Sequence, residues 1–431
     1  MKKSHLIACT LLTLYGLALP SYAAQNIALW TLGMKPKFTP YFENLVKQYE
    51  AQNKDIKIEW TDYPYEVMQA KLASAVGAGK PPALVNLNVP WAQEYAQHGL
   101  LQPVDGLLGD SKAYLPSALE DLRFQGKVYG FPHYNNVNVL AYNQKLFQQA
   151  GIKVAPKNLD EILSVAQQIA VKTGQAGFAP PLGKIDNYFL QQGLPLIKDG
   201  RAAFNSAPHI ALLNKFAQAY QAKALLKDGL FAENNFSQVV NAYNTNRLGM
   251  MIGTSTVFNR IEQEAPAVYA QTEIASAPIG PTGIADGGWL FHFAVPTGVP
   301  ANALPEIGKF ARYLTNDVNQ LSFAKLAGVF PSTQQAAKEI SLAPAGKSPA
   351  DKALTIAAAS MPYARTLYVA GVADYQAMQR ALVKATEATV TGKMPAAQAL
   401  AEAAAVWDKQ LIKQANKQAN LQANKLKSGA K

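Results

Sequence analysis

The chain has 431 residues, of which 49% are hydrophobic, and its formal net charge is +11. This length is enough for two or more domains, each with a sizeable core. The basic residues are spread along the chain rather than gathered in a run with interleaved aromatic residues, which argues against nucleic acid as a partner.

The beginning of the chain has the three parts of a secretory signal peptide. Lys2 and Lys3 precede an apolar run over residues 6–19, and small residues end the segment. We therefore predict cleavage after Ala23 or Ala24 and a periplasmic location for the mature chain. No later stretch is apolar over a length that crosses a bilayer.

Cys9 is the only cysteine of the chain and lies inside this predicted signal peptide. The four residues 6–9 resemble a lipid-attachment box, but the apolar run continues beyond Cys9, so we treat the match as accidental. The mature chain is then expected to hold neither a disulfide nor a thiolate metal site.

Strands and helices alternate over the next segment. Apolar residues at 27–32 and 56–60 predict two strands, with a helical pattern around 42–49 between them. A second predicted helix, 65–76, ends before a turn rich in glycine and proline, and a third strand follows at 83–87. The alternation indicates an α/β fold with a mainly parallel sheet covered by helices on both faces.

Two extended segments interrupt this pattern. Residues 130–142 show little helical periodicity, and residues 274–295 contain many glycines and prolines. Together they suggest that the chain leaves its first domain and later returns to it. Residues 409–431 are rich in Lys, Gln, Asn and Ala, and predict a helix that frays into a solvated basic tail.

A series of motifs follows one another along the chain. They are LWTLG at 29–33, YEAQNKDIKIEW at 49–60, KLASAVGAGKPPALVNLNVPWAQEYAQHGLLQPVDGLL at 71–108, GKVYGFPHYNNVNVLAYNQKLFQQAGI at 126–152, NRLGMMIGTSTVFNRI at 246–261 and GGWLFHFAVP at 287–296. LAGVFPSTQQAA and TGKMPAAQALAEAA come later. In this order the motifs resemble the family 1 extracellular solute-binding proteins of ABC transporters, which include maltose-binding and glycerol-3-phosphate-binding proteins. The resemblance covers nearly the whole mature chain.

The resemblance implies an α/β periplasmic-binding-protein fold of type II, in which two lobes enclose a ligand cleft. The implied divisions are a signal peptide at 1–24, lobe 1 at 25–135 plus 286–331, lobe 2 at 136–285 plus 332–420, and a basic tail at 421–431. It further implies a monomer without a cofactor that binds a mono- or oligosaccharide and delivers it to a membrane ABC permease. No enzymatic activity is expected.

A sugar has apolar C–H faces, which need flat aromatic rings in the site. Aromatic residues that the resemblance places toward the cleft are Trp30, Trp91, Tyr134, Tyr188 and Trp289. Trp289 is the strongest candidate, because two glycines, including Gly288, precede it and allow the backbone to approach a ligand closely. Core packing is the alternative for Trp91 and Tyr188.

The hydroxyl rim of a sugar needs fixed donors and acceptors. The polar candidates are Asp62, Asn86, Asn88, His133, Asn135, Asn136, Thr254 and Ser255. Asn86 and Asn88 belong to one predicted strand, and only one of them is expected to reach the cleft. His133 lies at the first extended segment and can be either a ligand contact or a packed hinge residue.

Two alternatives to a sugar-binding protein stay open. A binding protein for a polyol phosphate or another anionic solute needs an arginine clamp in the cleft. The arginines considered for it are Arg247, Arg260, Arg312 and Arg365. An exported carbohydrate-active enzyme needs two carboxylates at a defined separation, and Asp62, Glu66 and Glu94 are the acidic residues near the expected cleft. The histidines lack metal-ligand spacing and no nucleophile elbow is present, so neither a metal site nor a catalytic residue is expected.

Overall fold

The computed structural model describes residues 25–232, 234–287, 289–341, 346–369, 372 and 375–428. The predicted signal peptide and Gly288 therefore lie outside the described residues. The strands are, in chain order, β1 (Gln25–Leu32), β2 (Ile56–Tyr63), β3 (Leu84–Asn88), β4 (Leu101–Gln102), β5 (Arg123–Phe124), β6 (Lys127–Val128), β7 (Phe131–Asn135), β8 (Asn138–Asn143), β9 (Ala176–Phe178), β10 (Ile197–Lys198), β11 (Arg201–Ala202), β12 (Leu248–Thr254), β13 (Thr272–Ser276), β14 (Ala285–Asp286), β15 (Phe291–Pro296), β16 (Phe330–Pro331) and β17 (Ala364–Arg365).

The helices connect these strands and cover the sheets. They are α1 (Thr39–Gln52), α2 (Tyr65–Gly77), α3 (Val89–Gln97), α4 (Pro116–Asp121), α5 (Gln144–Gln149), α6 (Leu159–Thr173), α7 (Ile185–Gln191), α8 (Ala207–Gln221), α9 (Phe236–Asn244), α10 (Thr256–Glu264), α11 (Pro266–Tyr269), α12 (Leu304–Leu314), α13 (Asp317–Ala327), α14 (Gln334–Ser341), α15 (Pro349–Ser360), α16 (Tyr375–Val390) and α17 (Ala396–Ser428). The five elements predicted before residue 88 are confirmed as β1, α1, β2, α2 and β3, with ends that shift by a few residues.

The first lobe is built on a sheet with the strand order β16-β7-β15-β3-β1-β2, and β4 pairs with β15. Strand β1 runs parallel to β2 and β3, whereas β15 runs antiparallel to β3 and β7. The prediction of a mainly parallel sheet therefore holds only for its first three strands. The chain leaves and re-enters the lobe through neighbouring strands that run in opposite directions, which makes the sheet mixed.

Helices cover both faces of this first sheet because side chains alternate along its strands. Leu84 on β3 packs with α1, α12 and α13 on one face. Val85 and Leu87 on the same strand pack with α2 and α3 on the other face. Both faces of the central strands are therefore buried, which agrees with their nearly continuous apolar sequence.

The second lobe is built on a four-stranded sheet with the order β13-β8-β12-β9. Leu140 on β8 packs with α6, α7, α8, α16 and α17, whereas Val139 and Ala141 pack with α9, α10 and α15 on the opposite face. The late helices α16 and α17 thus complete a core that begins more than two hundred residues earlier.

Two of the segments that cross between the lobes are in close contact with each other. The first crossing joins β7 to β8 through residues 136–137, and the second joins β13 to β15. At the second crossing Gly287 has a φ of +148°, and a Cβ atom on it would come within 2.8 Å of Val137 Cα. A side chain at this position would clash with backbone, so the glycine allows the two crossings to touch.

Helix α17 is the longest helix, with 33 residues. Among its residues whose side chains the structure describes, the buried ones, from Ala396 to Trp407, lie in its first half. Among the residues that the structure describes, neither this helix nor any other is long and apolar enough to span a bilayer.

Candidate functional site

A cavity of about 400 Å³ lies between the two lobes, beside the second crossing. This volume falls within the range of about 300–1,000 Å³ that is usual for small-molecule sites. Helices α2 and α3 form its wall in lobe 1, and α7, α16, residues 366–369 and residue 372 form its wall in lobe 2. The residues that line it and are used below are Tyr65, Asn88, Trp91, Gln93, Glu94, Lys184, Asp186, Trp289, Tyr375, Gln379 and Arg380.

Asn88 organises the wall in lobe 1. It is the last residue of β3 and the N-cap of α3, and its Oδ1 accepts a hydrogen bond of 3.0 Å from the Trp91 backbone N–H. Its Nδ2 donates to the Tyr65 hydroxyl at 2.9 Å. The Tyr65 and Trp91 rings are 4.5 Å apart and inclined by 39°. The cap thereby holds two aromatic rings side by side at the cavity surface.

Trp289 lies at the hinge side of the cavity, and 41% of its surface is exposed. The ammonium group of Lys184, from lobe 2, lies 4.3 Å from the centre of its ring. A cation over an indole face is attracted by the ring quadrupole. The Trp289 ring is therefore partly exposed at the cavity, and the Lys184 ammonium group lies over it.

Asp186 is the buried acidic group of the wall in lobe 2. Its carboxylate accepts hydrogen bonds from the Tyr375 hydroxyl and from Gln379 Nε2, the latter at 3.2 Å. Burial raises the pKa of Asp186, while these hydrogen bonds and the Lys184 charge oppose that rise. The carboxylate thus ties α7 to α16 and fixes the polar groups that α16 presents to the cavity.

Gln93 adds a polar group to the wall in lobe 1. Its Nε2 donates to the carbonyl groups of Asp121 and Arg123, at 3.0 and 3.2 Å. Its Oε1 is buried, and within the described part of the chain no donor reaches it. An unsatisfied buried acceptor costs about 1–3 kcal/mol, so a water molecule that reaches this atom would be favoured there.

Asp121, beneath this wall, is expected to make stability pH-dependent. Burial raises its pKa to about 7, although the Arg365 charge and the Thr366 N–H lower it. An unfolded aspartate has a pKa of about 3.9, so between about pH 4 and 7 the folded chain binds the extra proton. The free energy of unfolding should therefore fall as the pH rises through this window.

Asp121→Asn should remove this fall, so that the variant gains stability relative to the parent from pH 4 to 7. Urea denaturation at several pH values measures the difference. The exposed Asp55→Asn variant is the control and should follow the parent. A constant difference between Asp121→Asn and the parent over the whole range would contradict the raised pKa.

Three aromatic residues predicted to contact the ligand lie outside this cavity. Trp30 packs edge-on against Tyr63, with ring centres 4.8 Å apart. Tyr134 stacks on a neighbouring phenylalanine ring, and burial raises its pKa. Tyr188 packs against Phe216 at 5.0 Å inside lobe 2. Core packing, the alternative considered for Tyr188, is its observed environment, whereas Trp91 both packs and lines the cavity.

Asp62, Asn86 and His133 also lie outside the cavity lining. Asp62 accepts a hydrogen bond of 2.6 Å from Thr31 and two more from the turn after β1. Asn86 donates to the His292 carbonyl at 3.1 Å within the sheet. His133 stacks on a phenylalanine ring of α13, and burial lowers its pKa to about 3. Residues two apart on a strand share a face, and both asparagines pair with β15. Asn88 reaches the cavity because it ends β3 and caps α3, whereas Asn86 is completely buried within the sheet.

The asparagines of the first crossing join strands and do not line the cavity. Asn135 is buried at the end of β7, and the Asn136 carbonyl accepts a hydrogen bond of 3.4 Å from the Trp289 N–H. The first crossing therefore supports the backbone of Trp289 from behind. Gly288, predicted beside it, lies outside the described residues.

Thr254 and Ser255 lie at the end of β12, away from the cavity lining. The Thr254 hydroxyl hydrogen-bonds that of Thr256 at 2.8 Å. Ser255 donates to the Gly328 carbonyl of lobe 1 at 2.7 Å. This serine joins the two lobes directly instead of facing the space between them.

The four arginines considered for an anion clamp also lie elsewhere. Arg247 and Arg260 form ion pairs with exposed carboxylates of lobe 2. Arg312 donates to a carbonyl in lobe 1, and Arg365 donates to the carbonyl of its preceding residue. Arg380, which sequence reasoning missed, is the arginine that lines the cavity.

Sequence reasoning also missed Tyr65, Gln93, Asp186, Tyr375 and Gln379. A signal existed for Tyr65, because it opens a helix directly after the carboxyl end of a strand, where ligands of α/β sheets bind. No local pattern marked Asp186 or α16.

The acidic residues considered for catalysis have different positions. Glu94 lines the cavity, Asp62 is bound in a turn, and the side chain of Glu66 lies outside the described part. Among the described residues, no three His, Asp or Glu side chains come close enough together to hold a metal ion.

Comparisons with known proteins place the chain among binding proteins. The family model for bacterial extracellular solute-binding proteins matches residues 44–355. A protein of Brucella abortus, provisionally named a binding protein, is 30% identical over 282 residues, which are 62% of this chain and 67% of that protein. The diacetylchitobiose binding protein DasA of Streptomyces coelicolor is 29% identical over 154 residues, 35% of this chain and 36% of that protein.

The solved structures include one from Synechococcus sp. MITs9220 that is provisionally named an oligosaccharide periplasmic-binding protein. It matches with a TM-score of 0.80 and 27% sequence identity, and the match covers 90% of this chain and 99% of that chain. The two-lobed α/β fold predicted from the sequence is thereby confirmed.

Proposed function

Because the chain belongs to the bacterial extracellular solute-binding proteins, we propose that it binds a mono- or oligosaccharide between its lobes and delivers it unchanged to a membrane ABC permease. The proposal includes export to the periplasm by cleavage of the signal peptide at 1–24. It also includes a monomeric state and the lobe boundaries given by the sequence, at 25–135 plus 286–331 and at 136–285 plus 332–420.

The observation that carries the proposal is the pairing of aromatic and polar groups in the cavity. The Tyr65 and Trp91 rings lie on one side, and the half-exposed Trp289 ring lies at the hinge. These flat surfaces suit the C–H faces of a sugar ring and lose little conformational freedom on binding. The amide side chains of Asn88, Gln93 and Gln379 add polar groups to the same lining.

Relatives support the same ligand class. The matched proteins from Streptomyces and Synechococcus are named for diacetylchitobiose and for oligosaccharides. We propose Tyr65, Asn88, Trp91, Gln93 and Trp289 as ligand contacts, with further polar contacts from Gln379 and Arg380 on α16.

A polyol phosphate or another anionic solute is the second candidate. Two cationic side chains, Lys184 and Arg380, line the lobe 2 side of the cavity and could neutralise an anionic group. Two carboxylates, Glu94 and Asp186, line the same cavity, so its formal charge is balanced. This balance favours a neutral sugar.

Thermal unfolding of the mature protein with panels of neutral sugars, sugar acids, polyols and polyol phosphates tests the proposal. A ligand that binds only the folded form stabilises it, by about 2.7 kcal/mol at a free ligand concentration of about one hundred times Kd. The melting temperature rises as a result. We expect a neutral mono- or oligosaccharide to give the largest shift and to be recovered unchanged. A shift only with phosphates would favour the second candidate, and turnover of the sugar would contradict the binding function.

Ligand binding should also close the two lobes. A ligand that contacts both walls binds the closed arrangement better and shifts the population toward it, with bending at the crossings. Small-angle X-ray scattering should therefore show a smaller radius of gyration at saturating ligand. Trp289→Ala at the same ligand concentration should show less of the decrease, and an unchanged radius in the parent would rule out closure.

A further inference from the structure

Helix α17 changes character after Trp407. Up to that residue its buried side chains pack in the core of lobe 2, and Leu411 still contacts this core. The backbone helix then continues to Ser428. Between Lys409 and Ser428 the sequence has five lysines and no acidic residue. The second half of the helix is therefore purely cationic.

The exposed face of this part has a regular pattern. Lys409, Lys413 and Lys417 are all exposed and four residues apart, so each is turned by only about 40° from the one before. Val406 and Ile412 are 46% and 41% exposed and flank the lysines, opposite the buried face. We call these five residues the lysine face.

The nearest carboxylates of α17 have other partners: Glu402 accepts a hydrogen bond from Gln398, and Asp408 accepts one from the Ala202 N–H. The lysine face itself forms no ion pair with another residue that the structure describes, although nine such pairs are formed elsewhere. Like charges four residues apart on a helix repel and destabilise it, and a helix without tertiary contacts is marginal in water. An anionic partner would remove this repulsion.

We propose that the lysine face docks on the anionic phospholipid headgroups of a membrane. Cations flanked by partly exposed apolar side chains suit the boundary between headgroups and acyl chains, where a helix can lie parallel to the surface. The rest of the molecule stays in solution. This docking would concentrate the protein at the membrane that holds a permease, and it does not depend on the identity of the ligand.

Sedimentation of the mature protein with lipid vesicles tests the proposal. Vesicles made of equal parts phosphatidylglycerol and phosphatidylcholine should bind the protein at low salt, and vesicles of phosphatidylcholine alone should not. Each lysine near an anionic surface contributes about a fivefold factor in partitioning. The combined Lys409→Gln, Lys413→Gln and Lys417→Gln variant should therefore bind about a hundredfold more weakly.

The control variant has the same net charge and carries Lys54→Gln, Lys80→Gln and Lys127→Gln, three exposed sites in lobe 1. It should keep most of the vesicle binding. Glutamine is nearly as good a helix former as lysine, so the variant at residues 409, 413 and 417 should keep its helix. Circular dichroism checks this. Equal losses of vesicle binding in both variants would show that only the net charge of the protein matters, which would overturn the proposal. Absence of binding to anionic vesicles, or binding only to an acidic polymer such as heparin, would also overturn it.

Discussion

Trp407→Ala is expected to lower the free energy of unfolding of lobe 2 by about 3–5 kcal/mol, the usual loss for a fully buried tryptophan. The Trp407 side chain has no exposed surface. Its ring packs 4.9 Å from the Phe204 ring and 6.0 Å from the Tyr375 ring. Its Nε1 donates to the Met378 carbonyl at 2.7 Å. The substitution leaves a cavity and removes the main anchor of α17.

Urea denaturation followed by circular dichroism measures this loss. The two lobes can unfold in separate transitions, in which case the transition of lobe 2 should move and that of lobe 1 should not. Trp407→Phe keeps most of the ring packing and should lose less. If Trp407→Ala has the same free energy of unfolding as the parent, α17 does not pack on the core of lobe 2 as described.

Trp289→Ala should have the opposite effect, with weaker ligand binding and nearly unchanged stability. The ring is 41% exposed and lines the cavity, so the variant loses less buried surface than Trp407→Ala does. An aromatic anchor at a binding site contributes about 2 kcal/mol or more, which corresponds to about a thirtyfold increase in Kd. The backbone hydrogen bond from residue 289 to Asn136 is kept in the variant.

Isothermal titration calorimetry with the sugar identified in the thermal screen measures the effect. Tyr363→Ala is the matched control, because this aromatic residue is 59% exposed and does not line the cavity. It should leave the Kd unchanged. A normal Kd for Trp289→Ala would exclude this ring from the site, and a large loss of stability would show that it serves packing instead.

Local patterns predicted the first five elements correctly because each element depends on the pattern of its own consecutive residues. Short, nearly continuous apolar runs mark β1 and β3, and helical spacing marks α1 and α2. The two crossings were also predicted, the first from its lack of helical periodicity and the second from its many glycines and prolines. Sequence reasoning missed the role of Gly287, which permits contact between the two crossings rather than with a ligand.

The candidate site was predicted only in part. Trp91, Asn88 and Trp289 line the cavity, whereas Trp30, Tyr134 and Tyr188 pack against other rings. A large aromatic residue gains free energy from burial as well as from ligand contact. Its position near a strand end therefore does not distinguish the two environments.

The sequence by itself determined the α/β class, the resemblance to solute-binding proteins and the segments that cross between lobes, because these follow from the order and period of neighbouring residues. Only the tertiary structure decided which side chains share the cavity. Asp186 and Tyr375 meet across 189 positions of the chain, and α16 reaches the cavity because α17 holds it in the second core. Such contacts depend on how separate elements pack, and packing leaves no periodic signal in either segment.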